Sequence, residues 1–103
     1  MEKLNIKIIL ASVRSGRFGD KPAKWIFDIA SQMPDLSVEF LDLKDYMLPI
    51  FAEAVSPAYA EGAYSTPEIN RWADKIASAD GFIVVTPEYN HGYPGELKMM
   101  LDM

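Results

Sequence analysis

The chain has 103 residues, half of them hydrophobic, which suits one small globular domain. Fifteen acidic against ten basic residues give a net charge of −5, so we expect neither nucleic acid nor an anionic membrane surface as a partner. The absence of Cys excludes a disulfide framework and thiol catalysis. No signal peptide is recognisable, and no apolar run approaches the ~20 residues that span a bilayer. We therefore expect a cytoplasmic protein.

The first half of the chain predicts a strand, a helix and a second strand. Residues 4–11 become wholly apolar towards their end, which indicates a central strand. Residues 20–33 repeat apolar side chains at helical spacing and stop before Pro34. Residues 38–43 form a more polar strand, which we expect nearer the edge of the sheet.

The second half begins with a long segment, residues 44–65, that has no clear periodicity. A helix follows it, with Pro67 in the first turn and Ile69, Trp72 and Ile76 on one apolar face. Residues 81–86 are short, apolar and β-branched, which predicts a strand buried on both faces. A last helix begins near Pro94.

Strands that alternate with helices predict a parallel sheet with right-handed crossovers. With the strand order 2-1-3, the ligand crevice lies at the carboxyl ends of the first and third strands. Residues 12–19 and 86–94 are the two loops that follow these strands. We therefore expect a phosphate-bearing cofactor between them.

The loop at 12–19 contains two hydroxyls, two guanidinium groups and two glycines ahead of a helix. Exposed backbone amides at such a position bind anions, and Arg14 or Arg17 can add bidentate bonds to a phosphate. The loop is neither a Walker A motif nor Gly-x-Gly-x-x-Gly, which favours the single phosphate of a mononucleotide. An ordinary strand–helix turn with solvated arginines is the alternative.

The loop at 86–94 contains an aromatic, an amide and an imidazole between two prolines, and can face a planar heterocycle. A purely structural loop is the alternative. His91 is the only histidine and has no neighbouring Cys or His, so we expect no metal site.

Three motifs give the chain a family resemblance: Ser-x-Arg-x-Gly-Arg-x-Gly at 12–19, Thr-Pro-Glu-Tyr-Asn at 86–90 and Gly-Glu-Leu-Lys at 95–98. Together they resemble the NADPH-dependent FMN reductases, which include quinone, chromate and azo-dye reductases. The resemblance implies that the first loop holds the FMN phosphate through Ser12, Arg14, Arg17, Phe18 and Gly19. It implies that the second loop cradles the isoalloxazine ring through Pro87, Glu88, Tyr89 and Asn90. No side chain is implied as an obligatory catalytic acid or base.

The same resemblance implies the flavodoxin-like fold, a three-layer α/β architecture with the strand order 2-1-3-4-5. Residues 1–103 then form a single FMN-binding domain that has strands 2-1-3 and is truncated at its C-terminus, without the family's strands 4 and 5.

The implied activity is an oxidoreductase that takes a hydride from NAD(P)H onto FMN and passes electrons to a quinone, a flavin or a similar small-molecule acceptor. A non-catalytic flavin-binding or assembly fragment of such an enzyme is the alternative. We also expect a homo-oligomer, either a dimer or a tetramer.

Overall fold

A computed structural model of the chain describes residues 3–46 and 67–102. In chain order, its elements are β1 (Leu4–Leu10), α1 (Asp20–Ser31), β2 (Leu36–Asp42), α2 (Pro67–Ala77), β3 (Gly81–Val85) and α3 (Gly95–Leu101). A 3₁₀ helix, Leu43–Tyr46, begins the long segment, and the rest of that segment lies outside the described residues. The predicted elements are present, but α1 ends at Ser31 rather than at residue 33. A residue that precedes a proline disfavours helical backbone, so the chain leaves the helix ahead of Pro34.

The three strands form one parallel sheet in the order β2-β1-β3. In the register, Leu4 pairs with Leu36 of β2 and Ile6 pairs with Gly81 of β3. This order confirms the predicted fold class, because β1 is central and both crossovers run through helices. The fold is flavodoxin-like, and it aligns the carboxyl ends of the strands at one edge.

The two faces of the sheet bury different sets of side chains. On the face covered by α1, Ile8 is fully buried, and Phe27 meets Phe40 edge to face with ring centroids 5.9 Å apart. On the other face, a core cluster joins the sheet to α2 and α3: Ile9, Ala11, Leu41, Leu43, Ile69, Trp72, Leu97 and Met100. Trp72 Nε1 donates to the carbonyl of Met100 at 3.1 Å, which ties α2 to α3. Helices on both faces give the predicted three layers.

The prediction that β3 is buried on both faces is wrong for the described residues. Phe82 and Val84 remain 45% and 41% exposed. Their face opens into a groove of about 200 Å³ between α2 and α3, with Trp72 and Leu101 among its lining residues. The reason is that β3 pairs only with β1 here, and the two helices flank this face without closing over it.

A polar network links the sheet to α2 on the same face as the core cluster. Glu39 of β2 accepts from Lys7 of β1 at 2.5 Å and from Lys75 of α2 at 2.6 Å. The hydrogen bond from Lys7, followed by that from Lys75, lowers the pKa of Glu39. Lys7 is almost fully buried, so this carboxylate compensates a charge that would be costly alone.

No helix among the described residues is both long and apolar enough to cross a membrane.

Candidate functional site

The two motif loops begin side by side because of the pairing between β1 and β3. Leu10 pairs with Val85, the last residue of each strand. One residue further, the backbone amide of Ala11 donates to the carbonyl of Val85 at 2.9 Å. The loops at 12–19 and 86–94 therefore leave the same edge of the sheet at neighbouring points, as predicted.

A cavity of about 320 Å³ lies between the two loops. Its lining residues are Leu10, Ser12, Arg14, Arg17, Phe18, Gly19, Pro22, Val85, Thr86, Pro87 and Tyr89. Seven of the nine predicted cofactor-binding residues are in this set, whereas Glu88 and Asn90 are not. The volume is in the range of small-molecule sites, which begins at about 300 Å³.

The first loop is folded around Ser12 and Gly16. Ser12 is buried, and its Oγ accepts from the backbone amide of Arg14 across 3.4 Å. Gly16 has φ of +69°, a left-handed conformation that glycine adopts without steric cost. At the end of the loop, a Cβ on Gly19 would lie 2.9 Å from Leu10 Cδ1, so this position accepts only glycine without a shift of the cavity wall.

Arg17 is held by three chain segments. Its Nη1 donates to the carbonyl of Ser12 at 2.6 Å and to Asp42 Oδ1 at 2.8 Å, and its Nη2 donates to Asp42 Oδ2. Its Nε donates to Asp20 Oδ1 at 2.9 Å, and Nη2 lies at the same distance from that oxygen. All three guanidinium nitrogens thus have oxygen partners, and the side chain is only 6% exposed.

The charges of this Arg17 junction, formed by Arg17 with Asp20 and Asp42, stabilise one another. The hydrogen bond to Asp42 raises the pKa of Arg17 most strongly, although burial acts in the opposite direction. Burial raises the pKa of Asp42, but hydrogen bonds from Arg17 and from the Lys44 backbone amide outweigh it and lower the pKa below its ordinary value. Asp42 is therefore an anion at neutral pH, and it faces Arg17 directly.

Arg14 differs from Arg17 although it lies in the same loop. It is exposed, and within the described part of the chain it makes no ion pair. Its guanidinium carbon lies 6.0 Å from the centroid of the Tyr89 ring, which links the two loops across the cavity. Phe18 is also open to solvent, with 73% of its surface exposed at the cavity rim.

The second loop forms a tight turn that places Tyr89 in the cavity wall. Tyr89 and Gly92 exchange backbone hydrogen bonds of 2.8 and 3.0 Å, with Asn90 and His91 at φ of 54° and 69° between them. Positive φ at both central residues is the signature of a type I′ turn. Glu88 accepts from the backbone amide of His91, so its carboxylate stabilises the turn. Glu88 and Asn90 therefore lie in the turn and do not line the cavity.

One polar atom in the cavity wall has no partner. The hydroxyl oxygen of Tyr89 is buried and makes no hydrogen bond with any residue that the structure describes. A buried hydroxyl in this state costs free energy unless a ligand or water satisfies it. The hydroxyl has almost no accessible surface, so it lies behind the cavity wall and not on the surface that a ligand would touch.

The sequence analysis missed Asp42 and four cavity residues, Leu10, Pro22, Val85 and Thr86. Asp42 ends β2 at the same edge of the sheet as both loops. The rule that ligands bind at the carboxyl ends of parallel strands could have identified it. Among residues 3–46 and 67–102, no group of three or more His, Cys, Asp or Glu could hold a metal ion.

Comparison with known proteins identifies the family. The model of the family described as NADPH-dependent FMN reductase matches residues 4–103. This chain belongs to that family.

Relatives within the NADPH-dependent FMN reductase family agree on the kind of protein. An NAD(P)H-dependent FMN reductase of Schizosaccharomyces pombe is 38% identical over 97 residues, covering 94% of this chain and 48% of that protein. A quinone reductase of Escherichia coli K12 is 32% identical over 103 residues, covering 98% of this chain and 50% of that protein. The chain therefore spans about half the length of these relatives.

A solved structure supports the fold. The flavoenzyme NAD(P)H:(acceptor) oxidoreductase FerB of Paracoccus denitrificans superposes with a TM-score of 0.71 at 25% identity. The match covers 96% of this chain and 49% of FerB.

Proposed function

We propose that this chain forms the FMN-binding part of an oxidoreductase that uses NAD(P)H to reduce a quinone, a flavin or a similar small acceptor. The proposal rests on the observation that both motif loops line the same cavity. The names of the relatives support it, since they are FMN reductases and quinone reductases. The residue assignments below are part of this proposal.

The polar end of the cavity fits the phosphate of FMN. Arg14 has no ion pair within the described residues, so its guanidinium is free to form charge-assisted hydrogen bonds with phosphate oxygens. The backbone of residues 15–19, with Gly16 in a left-handed turn, leads into the N-terminus of α1. Ser12, Phe18 and Gly19 complete this end of the proposed site.

The other end of the cavity fits a planar heterocycle. Pro87 and Tyr89 join the apolar side chains of Leu10 and Val85 in its wall. Glu88 and Asn90 are proposed to act through the turn that positions this wall.

Bound FMN supplies hydride acceptance and electron transfer to the acceptor. The chain's own residues then have only to bind and orient the cofactor and keep water from its ring. No step requires a proton from a side chain of the cavity wall, which agrees with a site made of binding residues.

The phosphate assignment predicts that the purified protein prefers FMN to riboflavin. Arg14→Ala should weaken FMN binding by about 1.5–3 kcal/mol, the contribution of a hydrogen bond to a charged group, and leave riboflavin binding nearly unchanged. Fluorescence titration with both flavins measures this. Lys24→Ala, which removes a cation from the exposed side of α1, is the matched control. Equal affinity of the unaltered protein for the two flavins would contradict the phosphate site.

The reductase assignment predicts that NADPH alone reduces the bound flavin. Anaerobic stopped-flow mixing should bleach the visible flavin absorbance before any acceptor is added, and a quinone added afterwards should restore it. A flavin that stays oxidised for minutes would instead establish the alternative, a non-catalytic flavin-binding or assembly fragment.

We also propose a homo-oligomer, a dimer or a tetramer. Phe82 and Val84 of β3 lie exposed, and this strand lacks the charges and prolines that protect natural edges. A second copy can pair with it, as can a separate chain that carries the remaining strands or residues outside this sequence. Light scattering after size exclusion should give a multiple of the subunit mass, whereas a monodisperse monomer that unfolds cooperatively would contradict this proposal. The cytoplasmic location stays a prediction from the sequence.

A further inference from the structure

The two arginines of the first loop differ in their partners. Every guanidinium nitrogen of Arg17 has an oxygen partner, on Ser12, Asp20 or Asp42. Arg14, three residues earlier, is exposed and makes no ion pair within the described residues. A phosphate that bound Arg17 would have to displace carboxylates, whereas one that bound Arg14 would break no ion pair among the described residues.

We propose that Asp42 is a positioning residue for the phosphate loop. Through Arg17 it fixes the start and the end of residues 12–19, and it leaves Arg14 as the guanidinium that meets the phosphate. This inference rests on the proposed FMN function, and it assigns a role in binding to a strand residue outside both motif loops.

The geometry gives this role a physical basis. Asp42 terminates β2 and binds Nη1 and Nη2 of Arg17 together, a bidentate pair that fixes orientation as well as distance. Arg17 Nη1 also holds the carbonyl of Ser12, where the loop leaves β1, and Nε holds Asp20, the first residue of α1. One guanidinium therefore connects the two ends of the loop to the neighbouring strand.

Loss of the Asp42 charge should release this connection. The Arg17 side chain is 6% exposed, and without the Asp42 charge its only carboxylate partner among the described residues would be the exposed Asp20. A buried guanidinium that loses its largely buried carboxylate is destabilised. Arg17 would then move toward water or toward the cavity that it lines, and the carbonyl of Ser12 would lose its donor. Displacement of the loop by even 1 Å is enough to weaken a preorganised site.

Glu39 provides a matched control on the same strand. Like Asp42, it is a carboxylate that forms ion pairs, in this case with Lys7 and Lys75. Unlike the Arg17 junction, it lies on the α2 face, and it does not line the cavity. Glu39→Gln removes the same charge from the same strand. A general effect of weaker ion pairing would appear in both variants, whereas an effect on the phosphate loop would appear only in Asp42→Asn.

The first measurement uses the flavin-free protein. NMR order parameters of the backbone amides of residues 12–19 should fall from about 0.85, typical of ordered backbone, to below about 0.6 in Asp42→Asn and in Arg17→Ala. The same order parameters should stay near about 0.85 in Glu39→Gln and in Arg14→Ala. Asp42→Glu, which keeps the charge, should restore part of the order.

The second measurement is flavin affinity. In Asp42→Asn, FMN should bind about tenfold more weakly while riboflavin changes less than about twofold, and Glu39→Gln should keep the preference of the unaltered protein. A merely structural role would lower both affinities together. If Asp42→Asn does not fold, Arg17→Lys, which keeps the charge but loses the bidentate geometry, should give the same pattern.

Two results would overturn the inference. One is an Asp42→Asn protein with unchanged order parameters in residues 12–19 and an unchanged FMN preference. The other is an Arg17→Ala protein that loses the preference while Asp42→Asn keeps it, because Arg17 would then be a direct phosphate ligand. Equal affinity of the unaltered protein for FMN and riboflavin would overturn the proposed function, and with it the role of Asp42 in phosphate binding.

Discussion

The parallel pairing of β1 with β3 is the constraint on which the site depends. Because Leu10 and Val85 end the two strands in register, two loops separated by about seventy residues begin within one hydrogen bond of each other. The cavity follows from this placement, since its walls come from residues just beyond the two strands. A shift of β3 by one residue against β1 would turn Val85 to the face opposite Leu10 and separate the walls.

The first loop contains two arginines, Arg14 and Arg17, that have different partners. Arg17 forms ion pairs with Asp20 and Asp42, so its charge stabilises the loop and is not available to a ligand. Arg14 has no ion pair among the described residues. It places a positive charge at the cavity, although the net charge of the protein is −5. This division would let a loop that acidic residues hold in place still bind an anion, as the proposed function requires.

The sequence predicted the sheet better than the contacts inside the loops. Alternating strands and helices predicted a parallel sheet with right-handed crossovers, because these follow from local patterns. The order 2-1-3, and with it the meeting of the two loops, was implied by the family resemblance. The Arg17–Asp42 pair could not be predicted in this way, since the two residues are 25 positions apart and only the β1–β2 register brings them together. The positive φ of Asn90 and His91 was not predicted either, because neither central position of this turn is a glycine. The exposure of Phe82 depends on which elements cover β3, and its apolar sequence does not encode that.

The most direct test of the account is a crystal structure of the protein with bound FMN. The account predicts that the phosphate lies within hydrogen-bond distance of the Arg14 guanidinium and that Arg17 keeps both bonds to Asp42. A flavin bound elsewhere, or a phosphate held by an Arg17 that has left Asp42, would contradict it.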